Sequence, residues 1–191
     1  MRLVLASASP RRADLLRAAG FEFVVKPVLV DESCLPGEDP EACVRRVAAA
    51  KAAAVASTGE PGIVIGADTT VLLDGEMLGK PAGEKEAARM LRRLSGRTHE
   101  VLTGIALQRG SLAVGDVDRT RVTFAALDAD EIAWYAASSE PGDKAGAYGI
   151  QGLASRFVER IEGSYATVVG LPIHTLRRLL RQLGELVGPG P

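Results

Sequence analysis

The segment Ser7-Ala8-Ser9-Pro10-Arg11-Arg12 brings two hydroxyls and two guanidinium groups together where an apolar run gives way to a helix start. Leu3 to Ala6 reads as a short buried strand. Ser9 suits the N-cap, where its hydroxyl can accept from the open amides of the first turn, and Pro10 suits the first helical position. Leu15, Leu16, Ala18 and Ala19 supply an apolar side and Gly20 a stop. Cations sit badly against the positive end of a helix dipole. Either both arginines reach into water, or an anion lies between them where bare N–H groups already point. With Ser7 and Ser9 as further donors, the pattern favours a phosphate.

Four other positions carry chemistry. Lys51 lies four residues after Val47 and four before Val55, on the apolar stripe of a helix that Asp39, Pro40 and Glu41 open and Gly59 ends. An ammonium on that stripe either snorkels out or faces something negative in a cleft. Asp68 follows the compact strand Gly62–Ile65 within Gly66-Ala67-Asp68-Thr69-Thr70. A carboxylate ending an apolar strand, with small neighbours, is frequent in α/β active sites; the alternative is a turn Asp bonding its own backbone. Lys80, in Gly79-Lys80-Pro81, is delivered by a hairpin of Val71–Leu73, Asp74-Gly75 and Glu76–Leu78, and is suited to binding phosphate. Glu32 stands beside Asp31 in the loop Val28–Pro36; adjacent carboxylates there are either solvated or hard ligands for a divalent cation.

The elements that must position these groups alternate between helix and strand. Further strands are expected at Phe21–Val25, at Val101–Leu107, across Leu112–Ala126 as one strand or a pair, and at Arg156–Ile161. Helices are expected at Glu84–Leu94, at Ala129–Ala137 behind Asp128, and at Pro172–Leu186. Arg45 and Arg46 read as ordinary exposed charges, His99 and His174 as structural histidines, and Trp134 and Tyr135 as core or interface anchors. Pro141 to Gly152 is a long glycine-rich loop that matches neither the dinucleotide fingerprint nor a Walker motif. Within it, the Gln151 amide pairs a donor with an acceptor and could read the edge of a base.

A chain of 191 residues with 47% hydrophobic content can build one large domain, and no linker or repeat divides it; residues 1–187 are expected to form that domain and 188–191 a frayed tail. A net charge of −1 argues against wholesale binding to nucleic acid or an acidic membrane surface. Cys34 and Cys43 form no CxxC pair, and no Cys or His stands at metal-ligand spacing. Without a secretory segment or a bilayer-length apolar run, the chain reads as cytoplasmic with reduced cysteines.

Together, Ser7-Ala8-Ser9-Pro10-Arg11-Arg12, Gly66-Ala67-Asp68-Thr69, Gly79-Lys80-Pro81, Ser95-Gly96-Arg97-Thr98-His99, Asp143 to Gly152 and Gly170-Leu171-Pro172 resemble the Maf family of nucleotide pyrophosphatases, in register over nearly the whole chain. The resemblance implies an α/β fold of the inosine-triphosphatase-like type, with an elongated mixed sheet flanked by helices and two lobes around a central cleft. It implies hydrolysis of a nucleoside triphosphate to monophosphate and pyrophosphate with a divalent metal, Mg²⁺ or Mn²⁺. Ser9, Arg11, Arg12, Lys51 and Lys80 would form the cationic cradle for the phosphates, with Ser7 also binding substrate; Asp68 would accept the proton of the attacking water, Glu32 would share the metal with Asp68, and Asp68, Glu32, Lys51 and Lys80 would make up the catalytic set. Arg11, Thr69 and Gln151 match the family's dTTP and UTP branch, where the 7-methyl-GTP branch typically carries Trp, Gln and Glu. Family members are often dimers, and an apolar patch around Trp134 could serve a homodimer.

A second reading stays open at this point. The family name derives from septum formation, so the chain could act chiefly as a nucleotide-binding regulator of division. A pure binder has no need of a carboxylate beside the cradle. A phosphatase releasing orthophosphate is disfavoured, because no nucleophile motif for it is present.

Overall fold

The structure is a computed structural model and describes residues 2–185. The expected tail at 188–191 and the expected helix end at Leu186 lie outside those residues. Among the described residues, seven strands form one mixed sheet in the order β2-β1-β3-β5-β6-β7, with β4 paired to β3. They are β1 (Leu3–Leu5), β2 (Phe23–Val25), β3 (Ile63–Leu73), β4 (Glu76–Leu78), β5 (Thr98–Arg109), β6 (Leu112–Phe124) and β7 (Val158–Glu162). The helices are α1 (Pro10–Ala18), α2 (Pro40–Ala56), α3 (Glu84–Leu94), α4 (Ala129–Ala136), α5 (Tyr165–Val169) and α6 (Ile173–Gln182). No described helix is long and apolar enough to cross a membrane. The chain divides into two compact units: Met1–Asp68 with Thr103–Asp118 and Gly170–Pro191, and Thr69–Leu102 with Arg119–Val169.

In the first unit, β1 pairs in parallel with both β2 and β3. β1 and the start of β3 (Ile63–Ile65) read as unbroken apolar runs because both faces are covered, whereas Val24 and Val25 of the edge strand β2 are exposed. Leu3, Leu5, Ile63 and Ile65 pack with Ala13 and Leu16 of α1 and with Leu176, Leu179 and Leu180 of α6. The alternate residues Val4, Ala6 and Val64 pack instead with Ala48, Ala52 and Val55 of α2. Asp39 caps α2 by accepting from the Glu41 and Ala42 amides.

In the second unit, β3 and β4 form the expected hairpin, with Asp74 (φ 53°) and Gly75 (φ 82°) supplying the two left-handed residues that a tight hairpin turn requires. Asp128 and Glu131 close a reciprocal capping box on α4. His99, Phe124, Tyr148, Phe157 and Tyr135 form a buried aromatic cluster with mostly edge-to-face contacts.

Several local expectations are revised. Ser9 sits at the N-cap of α1, but its side chain makes no capping bond; its amide donates to Ser7 Oγ instead. The strand expected to stop at Ile65 continues through Asp68 to Leu73, because Gly66 is a point of close packing rather than a break. Leu112 to Phe124 is one strand. The last strand starts at Val158, since Leu153–Phe157 winds into a 3-10 turn, and Tyr165–Val169 adds a short helix that was not expected. Cys34 and Cys43, expected reduced, are joined in a disulfide: the chain turns at Pro36 and Gly37, where the Glu38 amide donates to the Leu35 carbonyl, and the two Cα atoms lie 5.4 Å apart.

Candidate active site

The site in the first unit begins with a missing side chain. Val64, Gly66 and Asp68 alternate onto the face of β3 that meets α2. A Cβ on Gly66 would lie 2.1 Å from the Ala48 carbonyl oxygen and 2.7 Å from the Ala52 amide. A Cβ on Gly104 of β5, the neighbouring strand, would lie 2.3 Å from the Val44 carbonyl oxygen. Two glycines on adjacent strands therefore let α2 lie directly on the sheet backbone. Lys51, one residue before Ala52, is then aimed at the next inward position of β3. Its ammonium donates to Asp68 Oδ1 at 2.8 Å and to the Ala67 carbonyl at 3.3 Å. Lys51 is only 6% exposed, so it does not snorkel out; it faces a carboxylate.

Glu32 reaches the same ammonium, with Oε1 2.8 Å from Lys51 Nζ. Its loop is strapped to α2. Cys34 is bonded to Cys43, and Arg46 holds both oxygens of Glu38 (2.8 and 2.7 Å) and the Ser33 carbonyl (2.8 Å). Asp31, the other loop acid, turns back to accept from the Ser33 amide, which is the ordinary behaviour of a turn Asp. Arg46 is thus a loop clamp rather than an idle surface charge. Its sequence signal was an acid, Glu38, just before a helix that presents an arginine two turns in.

The β1–α1 turn completes the charged set of this unit. Arg12 folds back, with Nε on the Gly170 carbonyl (2.8 Å) and Nη1 on Ser7 Oγ (3.0 Å). Ser7 Oγ accepts from both Arg12 and the Ser9 amide, and its own proton remains to donate. Burial holds the Arg12 guanidinium below its ordinary range, while Asp68 and Glu32 raise it and Arg11 lowers it further. Arg11 and Arg12 thus share one corner with the two acids. Ser7, Ser9, Arg11, Arg12, Glu32, Lys51 and Asp68 all belong to the first unit.

Thr69, Lys80 and Gln151 belong to the second unit. Lys80 and Gln151 are exposed and Thr69 is half-buried. The turn carrying Lys80 is tied to the glycine-rich loop, since the Gly146 amide donates to the Gly79 carbonyl at 3.0 Å. Gly146 (φ 69°) also packs against Val71, where a Cβ would meet Cγ2 at 2.8 Å. His99 is structural, as expected, with Nε2 2.8 Å from the Tyr148 hydroxyl. Tyr135 is core, whereas Trp134 is exposed beneath the Arg156 guanidinium, 4.7 Å from its ring centre.

A sequence profile described as "Maf-like protein" matches residues 2–183. The chain belongs to the Maf family. Among curated Maf relatives, the dTTP/UTP pyrophosphatase of Koribacter versatilis (strain Ellin345) is 52% identical over 186 residues, covering 97% of this chain and 96% of its own. The dTTP/UTP pyrophosphatase of Symbiobacterium thermophilum is 50% identical over 189 residues, covering 99% and 97%. The solved structure of the Staphylococcus aureus Ham1 protein shares the fold, with a TM-score of 0.54 at 16% identity over 96% of this chain and 100% of that one. The inosine-triphosphatase-like mixed sheet flanked by helices is therefore the architecture of this Maf chain as well.

The donor set of this candidate site fits a hard divalent cation. Asp68 and Glu32 already converge on a single positive centre, the Lys51 ammonium, at 2.8 Å each. Mg²⁺ needs only one or two protein carboxylates when phosphate oxygens and water complete its shell.

Proposed function

We propose that this chain hydrolyses the α–β phosphoanhydride of dTTP and UTP, releasing the nucleoside monophosphate and pyrophosphate. One observation carries the reading: relatives named dTTP/UTP pyrophosphatase match it at about half identity from end to end. The chemistry of the site supports it. Arg11 and Arg12, with Ser7, Ser9 and the α1 amides, offer donors and positive charge to a triphosphate, and Lys51 and Lys80 add ammonium groups. Arg11, Thr69 and Gln151 favour a pyrimidine base.

In this mechanism the phosphate contacts hold the α-phosphorus in line for a water molecule. Asp68 accepts the proton of that water as its oxygen bonds to phosphorus. The bond from the α-phosphorus to the bridging oxygen breaks, and pyrophosphate leaves with the negative charge that the cationic cradle stabilises. Lys51 holds Asp68 in one orientation until the water arrives. A divalent cation held by Asp68 and Glu32 would supply charge neutralisation on the phosphate oxygens and acidify the water.

The test is a product assay over dTTP, UTP and 7-methyl-GTP with Mg²⁺ or Mn²⁺, resolving pyrophosphate from orthophosphate. Pyrophosphate from dTTP and UTP but not from 7-methyl-GTP is expected. Tight nucleotide binding without turnover would move the chain to a binding regulator, and orthophosphate as first product would make it a phosphatase.

A further inference from the structure

Glu140 is a half-buried carboxylate, outside the phosphate site, around which the end of the glycine-rich loop is built. Its Oε2 accepts from the Leu153 amide at 2.7 Å, and its Oε1 accepts from the Tyr135 hydroxyl at 2.8 Å and the Ala154 amide at 3.3 Å. The Tyr135 hydroxyl in turn accepts from the Gly149 amide at 3.2 Å. Between these anchors, Gly152 N–H donates to the Gly149 carbonyl at 3.1 Å and closes a tight turn whose central residues are Ile150 and Gln151. Ile150 is buried and Gln151 is exposed. Both ends of the turn are thus bonded to one carboxylate, the first end through Tyr135 and the second directly.

The neighbouring residues fit the same arrangement. A Cβ on Gly152 would lie 2.0 Å from Glu140 Oε2, so only glycine lets the turn close onto the acid. Lys144 Nζ donates to the Glu140 carbonyl at 2.5 Å, and a Cβ on Gly149 would meet the Lys144 side chain at 2.6 Å. Three donors converge on Glu140, and only a carboxylate offers acceptors alone. An amide in its place would turn an NH₂ toward a backbone N–H or leave that N–H unbonded.

We propose that Glu140 is a positioning residue for nucleobase recognition: through Tyr135, Leu153 and Ala154 it fixes the Gly149–Gly152 turn and so sets where the Gln151 amide is presented. The inference rests on the reading above that Gln151 meets the base. Hydrogen-bond recognition of a base edge depends on donors and acceptors held in place before the substrate arrives. A turn released at one end loses that advantage without touching the phosphate chemistry.

The experiment is a double-mutant cycle in the full chain, with KM and kcat for dTTP read from pyrophosphate release. Glu140→Gln is expected to raise KM about tenfold with kcat within about twofold, the pattern of lost ground-state binding. Gln151→Ala is expected to raise KM by a similar factor. The double variant is expected to match Gln151→Ala alone, because nothing remains for Glu140 to position. Tyr135→Phe keeps the ring and removes the hydroxyl that joins Gly149 to Glu140, leaving the Leu153 and Ala154 amides on the carboxylate, and is expected to raise KM about threefold; it decides the matter if Glu140→Gln melts before it can be assayed. If Gln151→Ala raises KM but Glu140→Gln and Tyr135→Phe do not, the positioning role is overturned and base reading stands. Full additivity in the double variant also overturns it. An unchanged KM in Gln151→Ala removes the base-reading role of Gln151, and the positioning role falls with it.

Discussion

The Lys51 ammonium and the Asp68 carboxylate meet at 2.8 Å, one on a helix and the other in mid-strand, and both are shielded from solvent. A shielded pair is costly to break from one side only, since the survivor keeps its desolvation cost without its partner. Asp68→Asn is expected to lower turnover by about 10²–10⁴-fold, the usual contribution of a positioned proton acceptor. The protein should stay folded, because Asn is close to the same shape and can still accept from Lys51. Pyrophosphate release and thermal melting on the same sample check both halves.

The same pair should show energetic coupling. Lys51→Met leaves Asp68 without its ammonium and is expected to cost about 2–4 kcal/mol, near the range for breaking such a pair. Adding Asp68→Asn to Lys51→Met removes the stranded charge, and at least about 1 kcal/mol should return. Urea titrations of the four proteins measure this directly. Simple additivity would mean that solvent screens the pair.

Gly66 and Gly104 set the distance between α2 and the sheet. Gly66→Ala drives a methyl group into the Ala48 carbonyl and the Ala52 amide, both backbone atoms that cannot swing aside. A loss of about 3 kcal/mol is expected, at the upper end for overpacking, together with reduced turnover as α2 withdraws Lys51. Gly142→Ala meets nothing within 4 Å and serves as the control, with a change expected within about 0.5 kcal/mol. Denaturant unfolding separates the two variants.

The site was legible where chemistry and periodicity agreed. Lys51 stood out as a cation on an apolar stripe, and the structure buries it against Asp68. Arg11 and Arg12 stood out as cations at the wrong end of a helix, and Arg12 proves to be bound to Ser7 and Gly170. What was not legible came from long-range contact. The strand through Asp68 runs on because α2 sits over Gly66, and nothing near Gly66 in sequence announces that helix. Glu140 and the Cys34–Cys43 bond work by closing loops, so their partners appear only once the chain has turned.

Cys34 and Cys43 are nine residues apart, and their bond closes a short loop beside Glu32. In the chain-entropy account, a loop of this size stabilises by about 2–3 kcal/mol. Reduction with dithiothreitol should therefore lower the melting temperature, and Cys34→Ser with Cys43→Ser should melt like the reduced parent. Arg46 and Glu38 still hold the loop after reduction, so the fold survives but cleavage between Leu29 and Pro36 should quicken under limited proteolysis. Equal melting of oxidised and reduced protein would show that Arg46 alone fixes the loop.

His99 gives the fold a pH dependence whose sign follows from its burial. It is 2% exposed, its Nε2 is bonded to the Tyr148 hydroxyl, and its Nδ1 is buried without a partner. Burial disfavours the imidazolium and lowers its pKa from 6.5 to about 4. Between those two values the unfolded chain takes up a proton that the folded chain refuses. Stability is therefore full above pH 6.5, declines as pH falls toward 4, and has lost about 3 kcal/mol from this group by the time the folded imidazole also protonates. His99→Leu removes the titrating ring and should flatten that decline, even though it also breaks the bond to Tyr148 and starts from a lower plateau. Urea midpoints measured from pH 7.5 down to pH 4 for both proteins decide it: parallel curves would assign the acid sensitivity to groups other than His99.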